Sequence, residues 1–159
     1  MSETMSIEAM RLAAYDLLEA YGRLLDEDRL EEWVDLFVED CLYEIVSREN
    51  REQNLPLSLI LCDSKDMLRD RIMSLRQANI YNLHYDCHVV GLIRVEAGPA
   101  ITATAPYALF QSTPEGDSRL FSVGRYYLEL EPQGGALRIR QQRVVVDTGA
   151  IPTLLATPI

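Results

Sequence analysis

A chain of 159 residues with 48% hydrophobic content fits one globular domain, which should bury roughly 70% of its unfolded surface. Lys+Arg 15 against Asp+Glu 25 gives a formal net charge of -10, a field that repels phosphate backbones and anionic lipid and argues against nucleic acid and membrane surfaces as partners. The start "MSETMSIEAM" is acidic, and no run approaches the ~20 apolar residues that span a bilayer, so the expected location is the cytoplasm.

In residues 6–25 the apolar positions Ile7, Met10, Ala14, Leu17, Tyr21 and Leu24 recur at steps of three and four, which predicts a long amphipathic helix. A second helix is expected over 28–37, with Asp28 as N-cap, Glu31 completing a capping box, and Leu30, Trp33, Val34 and Phe37 on its apolar face. Residues 41–47 have strand character, 48–56 form a polar connection closed by Pro56, and 57–62 form a short buried strand. Helical period returns in 64–78 after an Asp63 or Ser64 cap. With Leu68, Ile72 and Leu75 on its inward stripe, Met67 and Met73 fall well off it, Asp70 lies nearly opposite, and Arg71 sits at its border. Beyond residue 84, four strands over roughly 85–97, 100–112, 118–131 and 136–147 are separated by the turn signals "AGPA", "TPEGD" and "EPQGGA". The order α-α-β-β-α-β-β-β-β predicts an α+β domain, a curved antiparallel sheet wrapped on helices as a cone.

The last strand departs from clean alternation, with Arg138, Arg140, Gln141, Gln142 and Arg143 occupying both faces. Such a strand either meets solvent and a polar cavity or pairs with another chain. The segment "HYDCH" holds the only two histidines, His84 and His88, with Asp86 and Cys87 between them. On a helix the pair would suit a metal ion, but β-branched alternation follows at once, and four residues of strand span ~13 Å, too far for two ~2.0 Å bonds to one ion. A structural or interface role is expected for both imidazoles. Cys41, Cys62 and Cys87 contain no CxxC pair and read as buried free thiols.

Three stretches, "YEIVSREN", "LCDSKDMLRDRIMSLRQANIYNLHYDCHVVGLIRV" and "VVVDTGAIPTLLATPI", resemble the small, or beta, subunit of bacterial aromatic-ring-hydroxylating dioxygenases, the Rieske non-haem iron oxygenases. The likeness covers essentially the whole chain. It implies the cone shared with nuclear transport factor 2 and ketosteroid isomerase. It further implies a large (alpha) subunit that carries the Rieske [2Fe-2S] cluster, the mononuclear Fe(II) and the substrate pocket, fed from NADH by a reductase. This chain would complete an α3β3 hexamer, self-associating as a trimer, with no catalytic, cofactor or metal residue of its own. "SREN" with "CDSKDML" resembles members acting on aromatic carboxylates of the benzoate, anthranilate, salicylate or terephthalate type, and either dioxygenation or monohydroxylation is compatible.

The expected subunit-interface residues are Asp70, Arg71, Tyr81, His88, Arg140, Leu154, Leu155 and Ile159. Each has a plainer reading: an internal ion pair for Arg71, a solvated helix position for Asp70, a core aromatic for Tyr81. The tail, with Ile151, Leu154, Leu155 and Ile159, is too apolar to trail in water and either folds back on its own sheet or enters an interface, the latter favoured. Two rival functions stand beside this. One is a stand-alone cone-fold isomerase or dehydratase using Tyr15 or Tyr21, Asp40 and His88; the other is a non-enzymatic ligand-binding module.

Overall fold

The computed structural model describes residues 5–77, 83–151, 155 and 157–159, so Tyr81 and Leu154 lie outside the described residues. Helix α1 (Ile7–Asp26) starts where the Ser6 hydroxyl accepts the Ala9 amide, and it buries Ala14, Leu17, Leu18, Tyr21, Leu24 and Leu25 on one face. That face is the stripe its periodicity predicts. Helix α2 (Leu30–Val34) is shorter than expected, and strand β1 (Phe37–Ser47) already begins at Phe37. Asp28 is not its N-cap: it has φ +56, and Arg29 holds the cap position without a side-chain bond. The carboxylates that were to form the capping box instead both accept from Arg76 of helix α4 (Lys65–Gln77), Asp28 at 2.6 Å and Glu31 at 3.0 Å. Tertiary ion pairing has displaced the local cap.

The polar connection contains a further short helix, α3 (Arg48–Glu52), capped by the Ser47 hydroxyl, ahead of strand β2 (Ile60–Cys62). Of the two candidate caps for α4, Ser64 bonds the Met67 amide. Leu68 and Ile72 are buried beneath α4, while Met67 and Met73 are exposed, as the stripe predicts.

The first long strand divides into β3 (Tyr85–Val90) and β4 (Arg94–Ala97). Both pair with β5 (Ile101–Ser112), and the gap falls opposite Pro106, which has no N–H to give. Strands β6 (Ser118–Gln133) and β7 (Ala136–Val146) complete a hairpin whose turn uses Gly134 and Gly135, both at positive φ. The sheet order is β2-β1-β7-β6-β5-β3, with β4 beside β5. Every pairing is antiparallel except β1 with β7, which is parallel. Register shifts at Phe37/Leu42, Leu109/Phe110 and Glu129/Leu130 add twist, and the long strands curve around α1, which packs against β3, β4 and β7. The inner surface is lined with rings: Trp33 meets Tyr21, Phe37 and Tyr43 edge-on at 4.9 to 5.7 Å, and Tyr107 stacks on Tyr126 at 4.5 Å. Cys41 and Cys62 are buried free thiols as expected, but Cys87 is exposed, because it occupies an outward position of the alternating strand β3.

Candidate functional site

The chemistry of the cone interior is set by strand register. Ala103, Leu128, Gln142, Tyr43 and Cys62 are consecutive cross-strand partners on β5, β6, β7, β1 and β2, and therefore share one face of the sheet. The parallel row two residues on is Ala105, Tyr126, Val144, Ile45 and Ile60. Strand β7, polar on both faces in the sequence, is thereby explained within one chain. Gln142 points inward and is fully buried, while Arg143 bonds Glu44 at 2.7 Å and Arg140 bonds Glu131 at 2.8 Å.

The tail enters this interior. Arg71 donates to the main-chain oxygen of Leu155 at 3.4 Å, Thr157 donates to Asp86 at 3.3 Å, and Ile159 is 0% exposed. The hydroxyls of Tyr21 and Tyr43 both donate to the main-chain oxygen of Ile159, and the Ile159 amide donates back to the Tyr43 hydroxyl at 3.0 Å. Burial drives the Tyr21, Tyr43 and Tyr126 phenols well above their ordinary range, so they stay protonated, and Tyr21 and Tyr43 act as neutral donors. Burial pushes Tyr107 up to about 12 although it shares a hydrogen bond with Ser122, and pushes the Cys41 thiol up to about 11.

A second cluster joins α1 to the edge strand β3. The Asp26 carboxylate lies 2.6 Å from His88 Nδ1 and also accepts the His88 amide at 3.0 and 3.1 Å. The imidazole side chain is 0% exposed, and its Nε2 has no partner. Beside it a cavity of about 350 Å³ is walled by Tyr15, Glu19, Arg23, Gly91 and Ile93. His88 and Asp26 themselves line that space together with these residues.

The residues chosen from sequence separate accordingly. Asp70 is exposed on α4. Arg71 is half-buried against the tail, where it donates to the neutral main-chain oxygen of Leu155 instead of the carboxylate of an internal ion pair. His88 is locked on Asp26. Arg140 is exposed within Glu131, Asp40 and Glu129, all from its own chain. Leu155 is half-buried, and Ile159 lies in the domain's own core. Of the acid–base set of a stand-alone isomerase, Tyr15 is 62% exposed and lines the same cavity as His88, Tyr21 is fully buried, and Asp40 sits in β1 on solvent beside Arg140, away from that cavity. Among the described residues, no three of His, Cys, Asp and Glu come together as a metal would require. No helix of the described residues is long and apolar enough to cross a membrane.

Sequence reasoning missed Asp26. A carboxylate in the last turn of a helix opposes the macrodipole, and that misplacement is the one signal that it has a partner elsewhere.

The ring hydroxylating beta subunit family matches residues 20–153. The chain is 40% identical over 147 residues to the anthranilate 1,2-dioxygenase small subunit of Burkholderia cepacia, covering 91% of each chain. It is 33% identical to a beta subunit of the terminal oxygenase component of terephthalate 1,2-dioxygenase from Comamonas sp, covering 96% of this chain and 99% of the relative. Among solved structures, a beta subunit assigned to an aromatic-ring-hydroxylating dioxygenase of Novosphingobium aromaticivorans superposes with a TM-score of 0.87 at 40% identity, covering 96% of this chain and 98% of that one.

Proposed function

The chain belongs to the ring hydroxylating beta subunit family, and from that premise we propose that it is the structural small subunit of an oxygenase acting on an aromatic carboxylate. The observation that carries this reading is likeness along nearly the whole chain to small subunits of such oxygenases. The two enzymes these relatives serve act, by name, on anthranilate and terephthalate, both aromatic carboxylates. In the interior, the Tyr21 and Tyr43 hydroxyls are bonded to the tail and the buried His88 to Asp26.

In this reading the large subunit holds the Rieske [2Fe-2S] cluster and the mononuclear Fe(II), a reductase delivers electrons from NADH, and three copies of each subunit form an α3β3 hexamer. This chain contributes surface and rigidity. Exposed Asp70 and Arg140, half-buried Leu155, and Tyr81 and Leu154 outside the described residues make up the proposed contact set. Two rows on the outer sheet face extend it: Cys87, Phe110 and Leu120 are direct cross-strand neighbours, as are Val89, Ala108 and Val123. Phe110, Leu120, Val89 and Val123 are all exposed there, an apolar surface of the kind subunits bury.

The test is co-expression with a large oxygenase subunit of the same enzyme type. Native mass spectrometry should show equimolar complexes that carry iron, with the chain alone carrying none in stoichiometric amount. Two subunits that stay apart, with the small one turning over an aromatic substrate alone, would reverse the assignment.

A further inference from the structure

We propose that the cavity between α1 and the β3–β4 segment is a binding site for a neutral phenol, whose hydroxyl donates to Nε2 of His88. The cavity measures about 350 Å³, room for a single ring, and both His88 and Asp26 line it. Asp26 accepts from His88 Nδ1 at 2.6 Å and from its main-chain amide at 3.0 Å, which fixes the ring and places the proton of the neutral imidazole on Nδ1. Gly22 permits this seating, since a Cβ there would stand 3.3 Å from the His88 Cβ.

Nε2 is then an acceptor. The side chain that carries it is fully buried, and among the described residues it has no hydrogen-bond partner. A buried acceptor left unpaired costs free energy that a donor arriving through the cavity would recover. Because the nitrogen is shielded from solvent, the ligand's hydroxyl reaches it by parting the wall, and the recovered hydrogen bond offsets that displacement.

The lining names the ligand class. Three carboxylates, Glu19, Asp26 and Glu27, face one guanidinium, Arg23, so the cavity disfavours an anion. It does not call for an ammonium ion either, because each carboxylate is already engaged: Glu19 with Arg23 at 3.0 Å, Glu27 with Arg29 at 2.9 Å, and Asp26 with His88. One unpaired acceptor matches one hydroxyl and not the three N–H groups of an ammonium. The apolar part of the wall, Leu18, Val90 and Ile93 with the ring of Tyr15, suits an aromatic body, and a phenolic O–H, more acidic than that of an alcohol, gives an imidazole nitrogen the stronger bond. This inference does not rest on the oxygenase reading, and either can fail alone.

The experiment is NMR titration of the nitrogen-15-labelled full chain with phenol, with anisole as its donor-free counterpart, and with benzylamine and benzoate. Phenol should shift the Val90 and Gly91 amides and bind roughly tenfold or more tighter than each of the other three. It should also move the His88 Nε2 resonance upfield, as accepting a hydrogen bond does, and anisole should leave that resonance in place. His88→Asn keeps a side-chain N–H for Asp26 but has no second ring nitrogen, so it should erase the preference for phenol over anisole. No binding of phenol at millimolar concentration, equal binding of phenol and anisole, tighter binding of benzylamine or benzoate, or a phenol preference that survives in folded His88→Asn would each overturn the proposal. If that variant does not fold, the Nε2 resonance of the unaltered chain decides, and a signal unmoved by saturating phenol would refute the site.

Discussion

Asp26 holds His88 by both of its donors, ring Nδ1 at 2.6 Å and the main-chain amide at 3.0 Å, so one carboxylate at the end of α1 ties down the edge strand β3. An edge strand presents unpaired amides to any passing chain, and Asp26 covers one of them. Removing it leaves a buried imidazole and an amide without their acceptor. Asp26→Ala should therefore lower unfolding free energy by about 1 to 3 kcal/mol in urea titrations. A change within about 0.5 kcal/mol, the range of ordinary surface substitutions, would show the clamp to be idle.

Ile159 is a core residue by position, and its truncation should behave like one. Ile159→Ala should cost about 2 to 5 kcal/mol of domain stability, read as a lower denaturant midpoint at unchanged slope. The fraction that remains folded should still assemble with the large subunit. Full stability with lost assembly would return this residue to the subunit interface.

Glu44 makes stability pH-dependent at the acid end. Burial alone would raise its carboxyl, but the Ser58 hydroxyl and the Arg143 guanidinium outweigh burial and hold it below its ordinary value. A depressed folded pKa contributes stability above the unfolded value of about 4.3, and that contribution is lost as pH falls through the folded value. Thermal melts of Glu44→Gln should accordingly lose part of the wild-type decline below about pH 4.3 and melt lower at pH 7. Parallel curves for the two proteins across that window would count against this linkage.

The outer sheet rows should matter to assembly and little to folding. Phe110→Asp or Leu120→Asp places a charge on an exposed position, which should shift domain stability by no more than about 0.5 kcal/mol. Burying that charge against a partner is costly, so co-purification with the large subunit should fall at least roughly tenfold. Undiminished recovery of the complex would remove these rows from the interface.

Periodicity by itself determined α1, the inward stripe of α4 and the hairpin strands from β5 to β7, because helix faces and strand alternation are local consequences of where apolar side chains recur. The turn at Gly134–Gly135 was legible for the same reason, since two adjacent glycines announce positive φ. The resemblance to small oxygenase subunits lay in short motifs, and the chain's family follows from them. Only the tertiary structure decided the fates of Asp28, Gln142, Asp26 and Ile159. Asp28 has the chemistry of a cap, but Arg76 lies 48 positions away and offers its carboxylate a stronger partner. Gln142 lies in a strand whose sequence is polar on both faces, and only the parallel pairing of β1 on one side of β7 and the antiparallel pairing of β6 on the other turn it inward. Asp26 meets His88 across 62 positions, and Ile159 meets Tyr43 across 116. Contacts that distant leave no period in the sequence, because they arise from how the sheet curls around α1 and what the closed cone has room to admit.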